Sequence, residues 1–178
     1  MGEVLQEIGM VPPEKVQNVL DEYANHAHDR LTPYGVAGAL EEFDVAVSVH
    51  ADDIDDLEQD YTSLLEDAAA LTHGAVTVSN VRLHEGEEIG GSRDDILEFE
   101  RNGRLVAISA EHFGDRYEYF DQDAAINAID ELSPDDDPRA FHLVDFEREP
   151  NHGYDSIMVL ATPEQAKALE ENLGLTLM

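Results

Sequence analysis

Apolar side chains recur at intervals of three and four residues along one stretch of the chain, and this spacing constrains its fold most. The apolar positions of the stretch are Ile54, Leu57, Tyr61, Leu64, Leu65, Ala68 and Leu71. Side chains at such intervals lie along one face of an α-helix. The sequence therefore predicts a long amphipathic helix that packs on a core, with Asp52 as its N-cap.

The opposite face of this predicted helix carries negative charge and no base. Its acids are Asp52, Asp53, Asp55, Asp56, Glu58, Asp60, Glu66 and Asp67. Like charges four residues apart cost about 0.2–0.5 kcal/mol per pair at low ionic strength. Two explanations stay open at this point: a solvated face in a chain adapted to salt, or an anionic surface that meets a basic partner.

The charge of the whole chain limits what it can bind. The 178 residues include 41 acids against 10 Lys and Arg, a formal net charge of −31. Such a chain repels phosphate backbones, so we expect no direct binding of nucleic acid. The content of apolar residues is 42% and they are periodic, which excludes disorder and favours one folded domain over residues 1–178.

Alternation and turn residues predict the remaining elements. An N-terminal helical segment covers about residues 1–31, with a helix over 13–29 that 32–38 breaks. Strands are predicted at 43–49, at 75–83 with a bulge near Asn80, at 141–146 and at 156–161, the last central in its sheet. A polar loop covers 84–95. The order of elements predicts an α+β fold, a single mixed or antiparallel sheet with helices packed on it.

Turn and cap residues sharpen three of these predictions. Asn102-Gly103 predicts a type I′ hairpin turn between strands that begin near Leu97 and end at Ser109, with Tyr117 and Tyr119 extending the sheet. Asp121 predicts the cap of a short helix. The run Thr162-Pro163-Glu164-Gln165 predicts a capping box at the start of the last helix, which Gly174 ends.

No pattern in the sequence predicts catalysis, a metal site or a cofactor. The chain has no cysteine. The histidines of "HAHD" (26–29) are two residues apart, a spacing that does not let helical side chains share a metal. The acidic run 52–60 lacks the central glycine of a calcium loop, and the other histidines stand singly. We therefore predict a non-catalytic protein.

The N-terminal sequence and the length of the apolar runs predict where the protein is located in the cell. The N-terminal run MGEVLQEIGM does not have the pattern of a signal peptide, and no apolar run approaches about 18 residues. We expect a cytoplasmic protein that does not enter the membrane.

Two segments carry a resemblance to a known family. "LEFERNGRLVAISAEH", followed by "TPEQAKALEENLGL", resembles the second half of small α+β immunity proteins in bacterial polymorphic-toxin systems, over about residues 94–178. The resemblance implies a cytoplasmic inhibitor that blocks its cognate toxin. Toxins that act on nucleic acid often need basic surfaces, which an acidic inhibitor would complement.

We therefore predict an acidic, immunity-type inhibitor that binds a basic protein and neutralises it. The acids expected at the interface are Asp52, Asp55, Asp56, Asp60, Glu66, Asp67, Glu85, Glu87 and Glu88. One alternative is a DNA mimic that inhibits a restriction or repair enzyme. Another is a halophile's protein or enzyme whose acidity is only adaptation to salt.

Overall fold

A computed structural model of the chain describes residues 1–26, 31–52, 54–113, 119–146 and 155–178. Its helices are α1 (Gly2–Glu7), α2 (Pro13–Glu22), α3 (Pro33–Glu42), α4 (Leu57–Leu71), α5 (Gln122–Asp130) and α6 (Pro163–Leu173), with a 3₁₀ turn at Ala24–His26. Its strands are β1 (Ala46–Val49), β2 (Val78–His84), β3 (Glu88–Ile89), β4 (Ser92–Arg101), β5 (Arg104–Phe113), β6 (Ala140–Asp145), β7 (Ser156–Ala161) and β8 (Thr176–Leu177).

The α+β class predicted from the sequence is confirmed, but the strands of the described residues form two sheets where one was predicted. One sheet has the order β1-β7-β6-β8, and the other joins β2, β3 and β5 to the central β4. Alternation shows which face of a strand is buried and not which strand lies beside it. The chain groups into two compact units, Met1–Ser48 with Pro138–Met178, and Val49–Asp137. The single domain remains a prediction, because such grouping does not test whether the units fold separately.

In the first unit, a buried sheet and its helices share one hydrophobic core. Every residue of β7 is buried, and β7 lies inside its sheet, as predicted. This core also includes Leu5 of α1, Val16 of α2, Leu40 of α3 and Leu169 of α6. Both signals of the predicted capping box are present: the Thr162 hydroxyl accepts from Gln165 N at 3.2 Å, and the Gln165 side chain accepts from Thr162 N at 2.9 Å.

In the second unit, α4 and α5 bury apolar faces over the sheet of β2, β3, β4 and β5. The interior residues of α4 include Tyr61 and Leu65, and those of β4 include Leu97 and Phe99. The hairpin turn between β4 and β5 has positive φ at Asn102 and Gly103, 50° and 75°, as a type I′ turn requires. The predicted bulge is present, since the pairing of β2 with β4 shifts register between Ser79 and Arg82.

Several predicted boundaries were wrong in the N-terminal half. Residues 32–38 do not break a helix but begin α3, because the Thr32 hydroxyl accepts from Gly35 N at 3.1 Å and Pro33 occupies the first turn. The helix predicted over 13–29 ends at Glu22, and its last residues, 27–29 of "HAHD", lie outside the described residues. The strand predicted from 43 begins at Ala46, since Phe43 is the C-cap of α3.

Other differences concern short elements. Helix α4 begins at Leu57 with Asp56 as its N-cap, and not with Asp52 as predicted. The predicted loop 84–95 contains β3 and the start of β4. Helix α1 lies in the N-terminal helical segment predicted over about residues 1–31, although its bounds were not predicted. Strand β8 was not predicted, because two residues are too few for a periodic pattern. Of the two tyrosines predicted to extend the sheet, Tyr117 lies outside the described residues, and Tyr119 is not in a strand, so the prediction was wrong for Tyr119.

Candidate partner-binding site

The acids predicted to meet a partner lie on two segments of the second unit. Asp52, Asp55, Asp56, Asp60, Glu66 and Asp67 precede α4 or belong to it, and Glu85, Glu87 and Glu88 lie between β2 and β3 or in β3. All have exposed side chains except Asp60, which is half-buried. Of these nine acids, only Asp56 and Glu85 have a carboxylate in a hydrogen bond or ion pair with another described residue. Within the part of the chain that the structure describes, no base therefore pairs with the charge of the others.

A pocket of about 310 Å³ brings part of this set together, and we call it the acidic pocket. Its lining is Asp55, Asp56, Leu57, Glu58, Leu83, Glu85 and Arg93. Three of the predicted acids, Asp55, Asp56 and Glu85, are among these residues. The other predicted acids do not line the pocket: Asp52, Asp60, Glu66, Asp67, Glu87 and Glu88.

The first wall of the acidic pocket is the N-terminus of α4, where carboxylates have structural tasks. The Asp56 side chain accepts from Gln59 N at 3.1 Å and caps the helix. Glu58 accepts from Leu83 N of β2 at 2.9 Å, and its other oxygen lies 3.5 Å from Arg82 Nη1. A helix N-terminus stabilises negative charge through its free N–H groups. This position therefore lowers the cost of placing several acids side by side.

The floor of the acidic pocket is a buried cation, Arg93 of β4. Arg93 is only 8% exposed, and its Nη1 lies 3.1 Å from the exposed carboxylate of Glu85. Its Nε and Nη2 each lie 2.7 Å from a different oxygen of Asp95, which has no exposure at all. Residues two apart on a strand share one face, so the sheet itself aligns this ion pair, in which Arg93 Nη2 donates a hydrogen bond to Asp95 Oδ2.

A histidine from the neighbouring strand completes the group that we call the Arg93 network: Arg93, Asp95 and His112. The register of β4 with β5 places His112 directly opposite Arg93. Its Nδ1 lies 2.8 Å from Asp95 Oδ2, and Gly86 N donates to Asp95 Oδ1 at 2.9 Å. Asp95 therefore holds the loop after β2, which carries Glu85, against the sheet.

Sequence reasoning missed the Arg93 network, although a signal was present. Arg93 and Asp95 are in phase with Leu97 and Phe99, which fill the core. Charged residues in phase with buried ones indicate a buried ion pair, because an unpaired charge there would be too costly. The alternation continues from Leu97 back to Arg93, inside the loop predicted over residues 84–95.

The Arg93 network has a structural role. An aspartate bonded to histidine Nδ1 can orient the ring as a general base. Here His112 is only 3% exposed, and its Nε2 has no hydrogen-bond partner among the described residues. Its ring lies edge-on to Tyr61, with centroids 6.5 Å apart. We therefore assign the network the task of fixing the pocket floor.

Tyr61 lies beside this network and is kept as a neutral phenol. Burial raises the pKa of its hydroxyl well above the usual 10.0, and the negative charges of Asp121 and Asp95 raise it further. Its oxygen accepts a hydrogen bond from Asp121 N at 3.2 Å, which lowers the pKa but does not offset burial. Tyr61 is thus a rigid core ring with one polar contact.

The described residues form neither a metal site nor a membrane-spanning helix. Within the described ranges, no group of three or more His, Asp or Glu is arranged to hold a metal ion. None of the helices described there is both long and apolar enough to cross a bilayer. Comparison with known protein families, with curated proteins and with solved structures finds no match.

Proposed function

We propose that this chain is a non-catalytic, immunity-type inhibitor that binds and neutralises a basic protein toxin. The observation that carries the proposal is the acidic pocket, where carboxylates from α4 and from the loop after β2 meet around one cavity. Neither segment alone would create such a focus of negative charge. The resemblance of residues 94–178 to immunity proteins supports the same proposal.

The shape and lining of the acidic pocket suit a lysine or arginine side chain of the partner. Leu57 and Leu83 offer apolar surface to the methylene stem, while Asp55 and Asp56 can receive the charged end. The guanidinium of Arg93 does not oppose this, because Asp95 and Glu85 neutralise it. Pairs buried in the centre of such an interface carry the affinity.

The acids outside the pocket would serve a different purpose. Asp52, Glu66, Asp67, Glu87 and Glu88 are exposed and have no base paired with them among the described residues. A surface of one sign raises association rates about 10–10³-fold at low salt and loses this effect as salt screens it. We assign these acids to the approach of the partner and not to the bound contact.

A charge-reversal pair tests the proposal. Wild type, Asp55→Lys and Glu7→Lys are immobilised and exposed to extract of the source cells at low and at 0.5 M salt. Asp55 lines the acidic pocket, whereas Glu7 is an exposed acid of α1 in the other unit, and both changes alter the net charge equally. We expect wild type and Glu7→Lys to retain one basic protein at low salt, and Asp55→Lys to lose at least nine-tenths of it.

The captured protein is then tested for toxicity in cells with and without this chain. Protection by wild type and Glu7→Lys, and none by Asp55→Lys, supports the inhibitor. Equal retention by all three variants, or retention that is indifferent to salt, contradicts it. Loss of retention when duplex DNA is added would instead favour the DNA mimic.

One observation favours adaptation to salt as the second explanation. Exposed acids also lie on helices of the other unit, such as Glu3 of α1, Glu14 of α2 and Glu164 of α6. Unfolding by urea in increasing KCl separates the two. At 1 M salt the Debye length is about 3 Å, so simple repulsion is already screened. A free energy of unfolding that still rises steeply between 1 and 3 M KCl supports adaptation to salt.

A further inference from the structure

We propose that two copies of this chain pair through the free edge of β5 and form one continuous sheet across a twofold axis. This inference does not depend on the proposed partner. It rests on the register of the β4–β5 hairpin, on the composition of β5 and on the charges beside it.

The register shows which backbone groups of β5 face outwards. Arg101 and Arg104 flank a two-residue turn and form a hydrogen-bonded pair, so the even-numbered residues of β5 bond to β4. The odd-numbered residues then direct their N–H and C=O groups away from β4. Glu111 confirms this, because its N–H donates to Asp121 Oδ2 at 2.7 Å and not to β4.

Most of this edge is open. Within the described residues β5 pairs with β4 alone. The outward groups of Leu105, Ala107 and Ser109 have no partner among those residues, and the three side chains are exposed. An open strand edge is a template for pairing with another strand.

The composition of the edge is unusual for this chain. Residues 105–110, Leu-Val-Ala-Ile-Ser-Ala, contain no charge, although charged residues make up 29% of the sequence. Leu105 is 61% exposed. Natural proteins protect open edges with lysine, proline or charge, and β5 has none of these between Arg104 and Glu111.

The backbone pattern selects the register of a second copy. Antiparallel strands place outward-facing residues opposite each other. Pairing Ala107 with Ala107 of the second copy sets Leu105 opposite Ser109, so all three outward residues bond. Val106 then lies opposite Ile108, and no like charges face each other in the ladder. The Arg104 end of each strand approaches the Glu111 end of the other.

The charges beside β5 decide under which conditions the pair forms. The acids of the same sheet face nearest to residues 105–109 are Glu98 and Glu100 of β4 and Glu111 at the end of β5. With strands about 4.8 Å apart, the two β4 strands of the pair would be separated by three spacings, about 14 Å. This exceeds the Debye length of about 8 Å at 0.15 M salt and is below that of about 30 Å at 0.01 M. Self-association should therefore strengthen as salt rises.

Sedimentation equilibrium of the whole chain tests the pair. We expect the 19.7 kDa monomer at 0.01 M salt and twice that mass at 0.5 M salt. Ala107→Lys sets like charges at the axis, and Ala107→Pro removes an outward N–H that β4 does not use. Each should raise the dissociation constant at least tenfold with an unchanged circular dichroism spectrum. Ser63→Lys, on an exposed position of α4, is the matched control and should behave as wild type.

Cross-linking locates the interface. The chain has no cysteine, so Ala107→Cys introduces a single thiol. Opposed residues in a hydrogen-bonded pair have Cα atoms about 5.5 Å apart, within the range of a disulfide. Oxidation at 0.5 M salt should link most of Ala107→Cys and little of Ser63→Cys. A monomer at every salt concentration, or a dimer that Ala107→Lys does not weaken, overturns the proposal.

Discussion

Replacing Asp95 by alanine should destabilise the protein more than any surface change. The side chain accepts hydrogen bonds from Arg93 Nη2, from His112 Nδ1 and from the backbone N–H of Gly86, and its Oδ1 also lies 2.7 Å from Arg93 Nε. Asp95→Ala leaves the guanidinium of Arg93 buried without the carboxylate that faces its Nε and Nη2. Removing one member of a buried ion pair costs about 3–5 kcal/mol.

That loss is large compared with a total stability of about 5–15 kcal/mol for a folded domain. With an m-value near 2 kcal/mol per molar urea, the unfolding midpoint should fall by about 1.5–2.5 M. Urea is the suitable denaturant because it does not screen charge. Far-ultraviolet circular dichroism and tyrosine fluorescence report the transition.

The adjacent residue is the matched control. Asp94 has the same chemistry on the opposite, exposed face of β4, and Asp94→Ala should change stability by no more than about 0.5 kcal/mol. Adding Arg93→Met to Asp95→Ala should restore part of the loss, since the double variant no longer buries a guanidinium that has lost its carboxylate. If Asp95→Ala unfolds within 1 kcal/mol of Asp94→Ala, the Arg93 network does not stabilise the unit as we infer.

Three further predictions concern single side chains. Because the pKa of Tyr61 is raised in the folded state, the protein should lose stability above pH 10, where the phenol ionises in the unfolded chain. Urea titrations should show a loss of about 1.4 kcal/mol per pH unit from this group. Tyr61→Phe should not show this loss. Thr162→Ala removes the capping box of α6 and should cost about 1 kcal/mol in the same assay, whereas Thr162→Ser should cost little. Asn102→Ala should cost about 1–2 kcal/mol, because Asn102 has positive φ and its side chain accepts from both the N–H and the hydroxyl of Thr77. Asn102→Gly should lose these hydrogen bonds but retain the turn. A thermal melt in which Asn102→Gly is no more stable than Asn102→Ala contradicts the assignment.

The local elements that the sequence predicted well are those whose cause lies within a few residues. The Asn102-Gly103 turn needs only two residues that tolerate positive φ, and the Thr162 box needs only four consecutive residues. The stripe of α4 was predicted because its apolar positions repeat over four turns. The same logic applies to α3, whose start at Thr32-Pro33 repeats the start of α6, although residues 32–38 were predicted to break a helix.

What the sequence could not predict depends on pairing between distant residues. That β1 joins β7, and that β2 joins β4, is decided by long-range contacts that periodicity does not record. The acidic pocket has the same origin, since Asp55 and Glu85 are brought together by the packing of α4 on β2. The role of His112 needs the register of β4 with β5, which places it opposite Arg93.

The two proposed surfaces can work in one protein because salt acts on them in opposite directions. Attraction between the acidic pocket and a basic partner is a pairing of unlike charges, so screening weakens it. Pairing of two β5 edges is made by backbone bonds against the repulsion of like-charged chains, so screening strengthens it. A charge of −31 is compatible with self-association only where acids are kept from the contact, and residues 105–110 are such a place. Measuring both associations along one salt series therefore separates them without any variant: a single salt slope for both would mean that one surface makes both contacts.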